Sequence, residues 1–228
     1  MSKENAMYYK DKMWPLGIVM YGVEKKLRPS PYLTMLKYAM TTIELATCLV
    51  FQEVQEDAVL QPKNLLWFAS EGEDTPELGF KEGNQTISLL AMATGAPGHT
   101  AHTLNLLLRT LGVPMMSNRF DRDNYIVVNW KNVQKGKERY LEKTPENAWL
   151  SDQEGGHMPY SFDSATHAPA NYLCGDCALT AQTVHPVQDH LWQRTITMGH
   201  RTDLAPSDVE VLNILYSKHC HNRYMANK

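Results

Sequence analysis

His99 and His102 stand three residues apart. A pair at that spacing can share one helix face and hold a metal ion between them. Neither histidine has a glutamate beside it, so a hydrolytic site there would lack its base, and a polar loop entering a helix accounts for both residues. Cys174 and Cys177 form a C-x-x-C pair, which suits a local disulfide, half a metal site or a redox couple. A redox couple wants its first cysteine at a helix N-terminus, and the text around Cys174 does not read as one, so a local disulfide or free thiols come first. Glu71, Glu73, Asp74 and Glu77 crowd one loop that reads as a solvated turn. His185, His190, His200, His219 and His221 are scattered and read as surface or interface residues.

The elements that would position these groups follow from periodicity. Leu104, Leu107, Leu108 and Leu111 fall on one helical stripe, in a helix running from about Thr100 to Leu111. Gly112 then supplies a left-handed stop, and Pro114 keeps the helix from resuming. Ser30-Pro31 opens an earlier helix, with Leu33, Leu36, Met40 and Ile43 on its apolar face. Strand-like runs lie at Ile18–Tyr21, Cys48–Phe51, Leu65–Phe68, Thr86–Leu90 and Tyr125–Trp130. Residues 1–13 read as a loosely held arm, and Lys131–Tyr140 as room for a short helix. The stretch from Ser161 to Arg201 has little periodicity, and a C-terminal helix runs from Ser207 to Tyr216, with the serine as N-cap and Asp208 and Glu210 as acids in its first turn.

A chain of 228 residues can build one sizeable core, or two lobes around a cleft. Its net charge of −3 supplies no basic excess for phosphates, so a nucleic-acid partner is not expected. No apolar run is long enough to suggest a membrane span, and the first residues show no signal peptide. The sequon Asn84-Gln85-Thr86 has meaning only in a secreted chain.

Several pieces taken in order resemble the catalytic domain of the astacin family of zinc metalloproteases. They are Trp14-Pro15-x-Gly17-x-Val19-x-Tyr21, the run from Gly79 to Leu89, and Arg119 with Asp121-Arg122-Asp123-Asn124-Tyr125 and Asn129-Trp130-x-Asn132-Val133. Pro159-Tyr160-x-x-x-Ser164, Gly199-x-Arg201, Ser207-Asp208-Val209 and Leu215-Tyr216 complete the likeness. The resemblance implies an α+β, metzincin-like (zincin-like) domain in two lobes. The N-terminal lobe, about 14–112, would hold a twisted sheet and two helices. The C-terminal lobe, about 113–228, would be loop-rich with a terminal helix, so that 14–228 forms one domain behind the arm 1–13. It also implies a disulfide between Cys48 and Cys220 and a secreted, extracellular protein.

The family signature is H-E-x-x-H-x-x-G-x-x-H, and counting back from Arg119 starts it at 105. This chain has Asn105, Leu106, Arg109, Gly112 and Met115 at the signature's marked positions. The methionine turn and its tyrosine map to Thr166 and Ala168, and Met116 stands where the family has the glutamate that receives the mature N-terminus. Read this way, the ligands and the general base are gone. The expectation is therefore an inactive pseudoprotease, not an enzyme, with no cofactor and no metal. It would bind a protein or peptide partner, or serve as a component of an extracellular coat or assembly. Arg109 either clamps a carboxylate of that partner or pairs with an acid of the chain itself and seals the cleft. The alternative expectation is a zinc metalloendopeptidase with unorthodox ligands.

Overall fold

The computed structural model describes residues 1–54, 62–72, 77–89, 99–151, 154, 156–175 and 181–226. Four strands, β1 (Ile18–Val23), β2 (Val50–Glu53), β3 (Leu65–Ala69) and β4 (Asn84–Ser88), form a parallel sheet in the order β2-β1-β3-β4. Val19, Leu66, Phe68 and Ile87 are buried in it. Helix α2 (Pro31–Ala46) connects β1 to β2 as the crossover that a parallel pair requires. Its N-cap is Ser30, whose hydroxyl accepts from the Tyr32 N–H at 3.2 Å, with proline in the first turn.

Helix α3 (His99–Thr110) packs against α2, and Leu104, Leu106, Leu107, Leu108 and Leu111 are all fully buried in the main core. The expected stop is present. The Val113 N–H bonds the Leu108 carbonyl and the Gly112 N–H bonds the Arg109 carbonyl, both at 3.0 Å, which is the Schellman closure of a helix end. Two more orphan carbonyls are taken by side chains: Trp14 Nε1 donates to Thr110 at 2.9 Å and the Tyr216 hydroxyl to Leu111 at 3.0 Å. Gly112 sits at φ 91°, and a Cβ there would lie 2.4 Å from Met13 Cε. Gly112→Ala is therefore expected to cost about 1–2 kcal/mol from the left-handed backbone alone. Urea unfolding reads this cost, and an unchanged midpoint would count against the closure as described.

The second half is built around a smaller cluster: Met115, Ile126, Val133, Leu141, Ala168, Tyr172, Val184 and Met198. A short antiparallel pair, β5 (Ile126–Val128) and β6 (Val184–Pro186), runs through it. Among the described residues from Ser161 to Arg201, the expected irregularity holds apart from β6 and a helix of five residues, α4 (Gln193–Thr197). Where a short helix was expected in Lys131–Tyr140, there are 3₁₀ turns at Trp130–Asn132 and Glu138–Leu141. The Arg119–Tyr125 stretch also has a structural role. Arg122 is buried and donates to the Ser117 carbonyl at 3.0 Å and to the Leu141 carbonyl, fastening two loops together.

Both chain ends depart from expectation. The segment read as a loose arm contains helix α1 (Lys3–Tyr9), capped by Ser2 and docked on residues 147–151. Asn5 Nδ2 donates to the Asn147 and Trp149 carbonyls, Asn5 Oδ1 accepts from the Ser151 N–H, and the Tyr9 hydroxyl donates to the Ala148 carbonyl. Two buried side chains hold it, too few to mark a periodic stripe in the sequence. The terminal helix α5 (Pro206–Ala226) runs well past its apolar part, because Cys220 and Arg223 anchor its distal turns. Cys48 and Cys220 are joined, with S–S 1.97 Å, and Arg223 donates to the Cys48, Leu16 and Gly17 carbonyls. Among the described residues, no helix is long and apolar enough to cross a membrane.

Candidate functional site

The residues expected at the site come from three places in the chain. Helix α3 brings Asn105, Leu106 and Arg109, the stretch after its stop brings Met115 and Met116, and the turn at 164–168 brings Thr166 and Ala168. The structure joins the last two groups directly. The Met116 N–H is bonded by both the carbonyl and the Oγ1 of Thr166, each at 3.2 Å. Met115 and Ala168 are packed in the second cluster. Leu106, by contrast, belongs to the main core. Asn105 is 6% exposed and its Oδ1 has no hydrogen-bond partner. Arg109 is half-buried, and burial lowers its pKa, opposed by the phenols of Tyr172, Tyr8 and Tyr140.

The 164–168 turn is held by a buried carboxylate whose role the sequence did not disclose. Asp208 accepts from the Ser164 hydroxyl at 2.6 Å, from the Ala165 N–H at 2.8 Å and from the Ala205 N–H at 3.0 Å. Its burial raises its pKa, while the donors oppose that rise. His167 is fully buried one residue further on. Its Nδ1 lies 2.8 Å from the Ala168 carbonyl, so that nitrogen carries the proton, and Nε2 accepts from the Tyr160 hydroxyl at 2.8 Å. Burial, first of all, pushes the imidazole down to about 4, so it is neutral at pH 7. Tyr160 stacks on Tyr125 with ring centroids 4.2 Å apart and packs edge-on against Phe162. The two tyrosines, His167 and Phe162 make an aromatic wall behind the turn.

His102 lies on α3, with its ring centroid 6.4 Å from that of Tyr172. Cys174 is disulfide-bonded, whereas Cys177 lies outside the described residues. Residues 73–76 of the acidic loop also lie outside them.

The sequence model of astacin, a peptidase family, matches residues 6–217. The chain belongs to the astacin family. It is 30% identical over 166 residues to the zinc metalloproteinase nas-14 of Caenorhabditis elegans, covering 72% of this chain and 30% of that protein. It is 27% identical over 195 residues to astacin-like metalloprotease toxin 5 of Loxosceles gaucho, covering 85% of this chain and 92% of the toxin. Of nas-14 and nas-6, both from C. elegans, the chain spans 30% and 56% of the length. The fold is that of high choriolytic enzyme 1, a hatching-enzyme zinc protease of the medaka Oryzias latipes. The TM-score is 0.68 and the identity 19%, over 92% of this chain and 96% of that one. The zincin-like α+β fold is thereby established.

The expectation that the chain is not an enzyme is corrected by these matches. The family is a peptidase family, and both relatives carry metalloproteinase names. Membership of the astacin family points to an enzyme.

The side chains that the resemblance aligns with the zinc signature do not, however, fit a zinc ion held in the family's manner. Such an ion takes about three nitrogen, oxygen or sulfur donors and an open position. Asn105 Oδ1, an unpaired buried acceptor, is the one hard donor among them. Arg109 has no lone pair to give and carries a repelling charge, Met115 offers a thioether that suits softer metals, and Leu106 cannot accept a proton. No step through zinc is derived from these residues.

Proposed function

We propose that this chain is a peptide-directed astacin-type endopeptidase with an altered metal site. In this reading the family signature is replaced at Asn105, Leu106, Arg109 and Met115, and the methionine turn at Thr166 and Ala168, so that any catalytic metal is held by donors outside that set. The observation that supports the peptidase reading is the family match over residues 6–217. The substrate is an extended polypeptide bound in the cleft between an N-terminal part, about 14–112, and a C-terminal part, about 113–228, of one domain. In this reading α3 forms the cleft floor, while Tyr125, Tyr160, Phe162 and His167 pack against one another beside it. The Cys48–Cys220 bridge suits an oxidising compartment and hence secretion. Metalloprotease toxins and a hatching enzyme are among the relatives.

The test is elemental analysis of the purified protein beside a peptidase assay on an unfolded polypeptide. One metal ion per chain, with cleavage that a chelator abolishes, is the expected result. Protein that holds no metal and cuts nothing would overturn the endopeptidase reading.

A further inference from the structure

The sequon Asn84-Gln85-Thr86 opens β4, directly after a bend at Glu82 and Gly83. Its middle residue is buried and ties that bend down. Gln85 Nε2 donates to the Gly79 carbonyl at 3.3 Å, and its Oε1 accepts from the Lys81 N–H at 3.2 Å. Successive strand residues face opposite ways, so Asn84 and Thr86 point away from Gln85, and both are exposed. Among the described residues, nothing hydrogen-bonds the Asn84 carboxamide. Gly83 precedes it at φ 94°, and nothing lies within 4 Å of where its Cβ would stand. The acceptor amide and the sequon hydroxyl are thus both presented to solvent in the folded chain.

The same face carries an indole. In the β3–β4 register Leu65 stands opposite Asn84, and Trp67 opposite Thr86. Leu66, Phe68 and Ile87 belong to the main core, so Leu65, Trp67, Asn84 and Thr86 share the outer face of the sheet. Trp67 rests on Gly22 of β1, where any Cβ would run into the ring. The indole is half-buried, which leaves part of an apolar ring uncovered beside the acceptor residue. Covering it with apolar surface is favoured.

We propose that Asn84 carries an N-linked oligosaccharide whose first sugars lie over Trp67 on the outer face of the sheet. The step is glycosyl transfer from a lipid-pyrophosphate-linked oligosaccharide. A bond forms between Asn84 Nδ2 and the anomeric carbon, the bond from that carbon to the pyrophosphate oxygen breaks, and Nδ2 gives up one proton as the lipid pyrophosphate leaves. Thr86 supplies the hydroxyl that the acceptor sequence requires. A sugar ring has apolar C–H faces, and its hydroxyls stay in water when such a face stacks on the indole, so no hydrogen bond is lost. The inference rests on the reading that the chain is secreted, because the acceptor sequence has meaning only there.

The protein is purified from its native source, digested, and treated with a peptide-N-glycosidase in heavy-oxygen water, which turns a sugar-bearing asparagine into labelled aspartate. Mass spectrometry is expected to find the label at position 84 in most molecules. An unlabelled Asn84 in protein whose Cys48–Cys220 bridge is formed overturns the inference and leaves secretion standing. An unlabelled Asn84 in protein with both cysteines reduced overturns the secretory reading, and this site with it. The full chain is then secreted from cultured eukaryotic cells, unaltered and as Asn84→Gln and Thr86→Ser. Thr86→Ser is expected to keep the sugar and Asn84→Gln to lose it. Hydroxyl-radical labelling reads where the sugar lies, with the exposed Trp130 and Trp192 as internal references. Oxidation of Trp67 is expected to rise several-fold in Asn84→Gln, whereas that of Trp130 and Trp192 stays level. Equal oxidation of Trp67 in the unaltered and Asn84→Gln proteins overturns the placement of the sugar on the indole.

Discussion

Replacing Cys48 and Cys220 with serine is expected to remove about 5 kcal/mol of stability, the largest single effect predicted for this fold. The bridge spans a sequence separation of 172 residues. In the chain-entropy description, a loop of that length adds about 5 kcal/mol by restricting the unfolded state. For a protein of this size that corresponds to a fall of about 10–20 °C in Tm. The bridge also fixes contacts that the entropy term omits. Gly17 lies against Cys220, where a Cβ would meet Sγ at 3.2 Å, and Arg223 reaches the Cys48 carbonyl from the next turn of α5. Calorimetry of the oxidised and double-serine proteins measures the difference. A drop of only a degree or two would mean that α5 holds its place through Tyr216, Leu212 and Leu215 alone.

Acid is expected to undo the aromatic wall next. His167 has its folded-state pKa pushed down to about 4 from an ordinary 6.5, because the imidazole is sealed from water. The unfolded chain takes up this proton below pH 6.5, whereas the folded chain resists it. The stabilisation is therefore complete above pH 6.5 and is lost as the pH falls through about 4. The two values differ by enough to remove about 3 kcal/mol across that window. Protonation would also set a second N–H against the Tyr160 hydroxyl, which now donates to Nε2. Urea unfolding measured from pH 7 to 4 should show this slope, and His167→Gln should flatten it. A variant that keeps the full slope would place the titration elsewhere, with His219 the next candidate, since its pKa is also lowered by burial.

Local signals were legible in the sequence, and long-range ties were not. Ser30-Pro31 caps α2 and Gly112 closes α3 because each needs only its immediate neighbours and the hydrophobic period. Helix α1 was missed because seven residues with two buried side chains carry no period to detect. The tail of α5 was missed because its anchors are a covalent bond and a guanidinium, neither of which is apolar. Asp208 looked like a favourable acid in the first turn of a helix. Its service to Ser164, 44 residues away in the chain, becomes visible only when the start of α5 and the 164–168 turn are brought together. The family was legible from the order of its motifs, above all Arg119–Tyr125, whose Arg122 proves to be a buried fastener. The non-enzymatic expectation drawn from Asn105, Leu106, Arg109 and Met115 went astray because four positions were set against the evidence of the whole chain.

The joining of α5 to the first strand's approach has a consequence for how the protein is made. Synthesis proceeds from the N-terminus, and early segments fold as they emerge. Here the partners of Gly17 and Cys48 are Cys220 and Arg223, so the tie cannot form until nearly all of the described chain has left the ribosome. Until then Cys48 waits as an unpaired thiol at the end of a completed helix, open to any oxidised cysteine within reach. In the interval before α5 arrives, the yield of correctly folded protein depends on an environment that oxidises late and permits exchange of a wrong bridge.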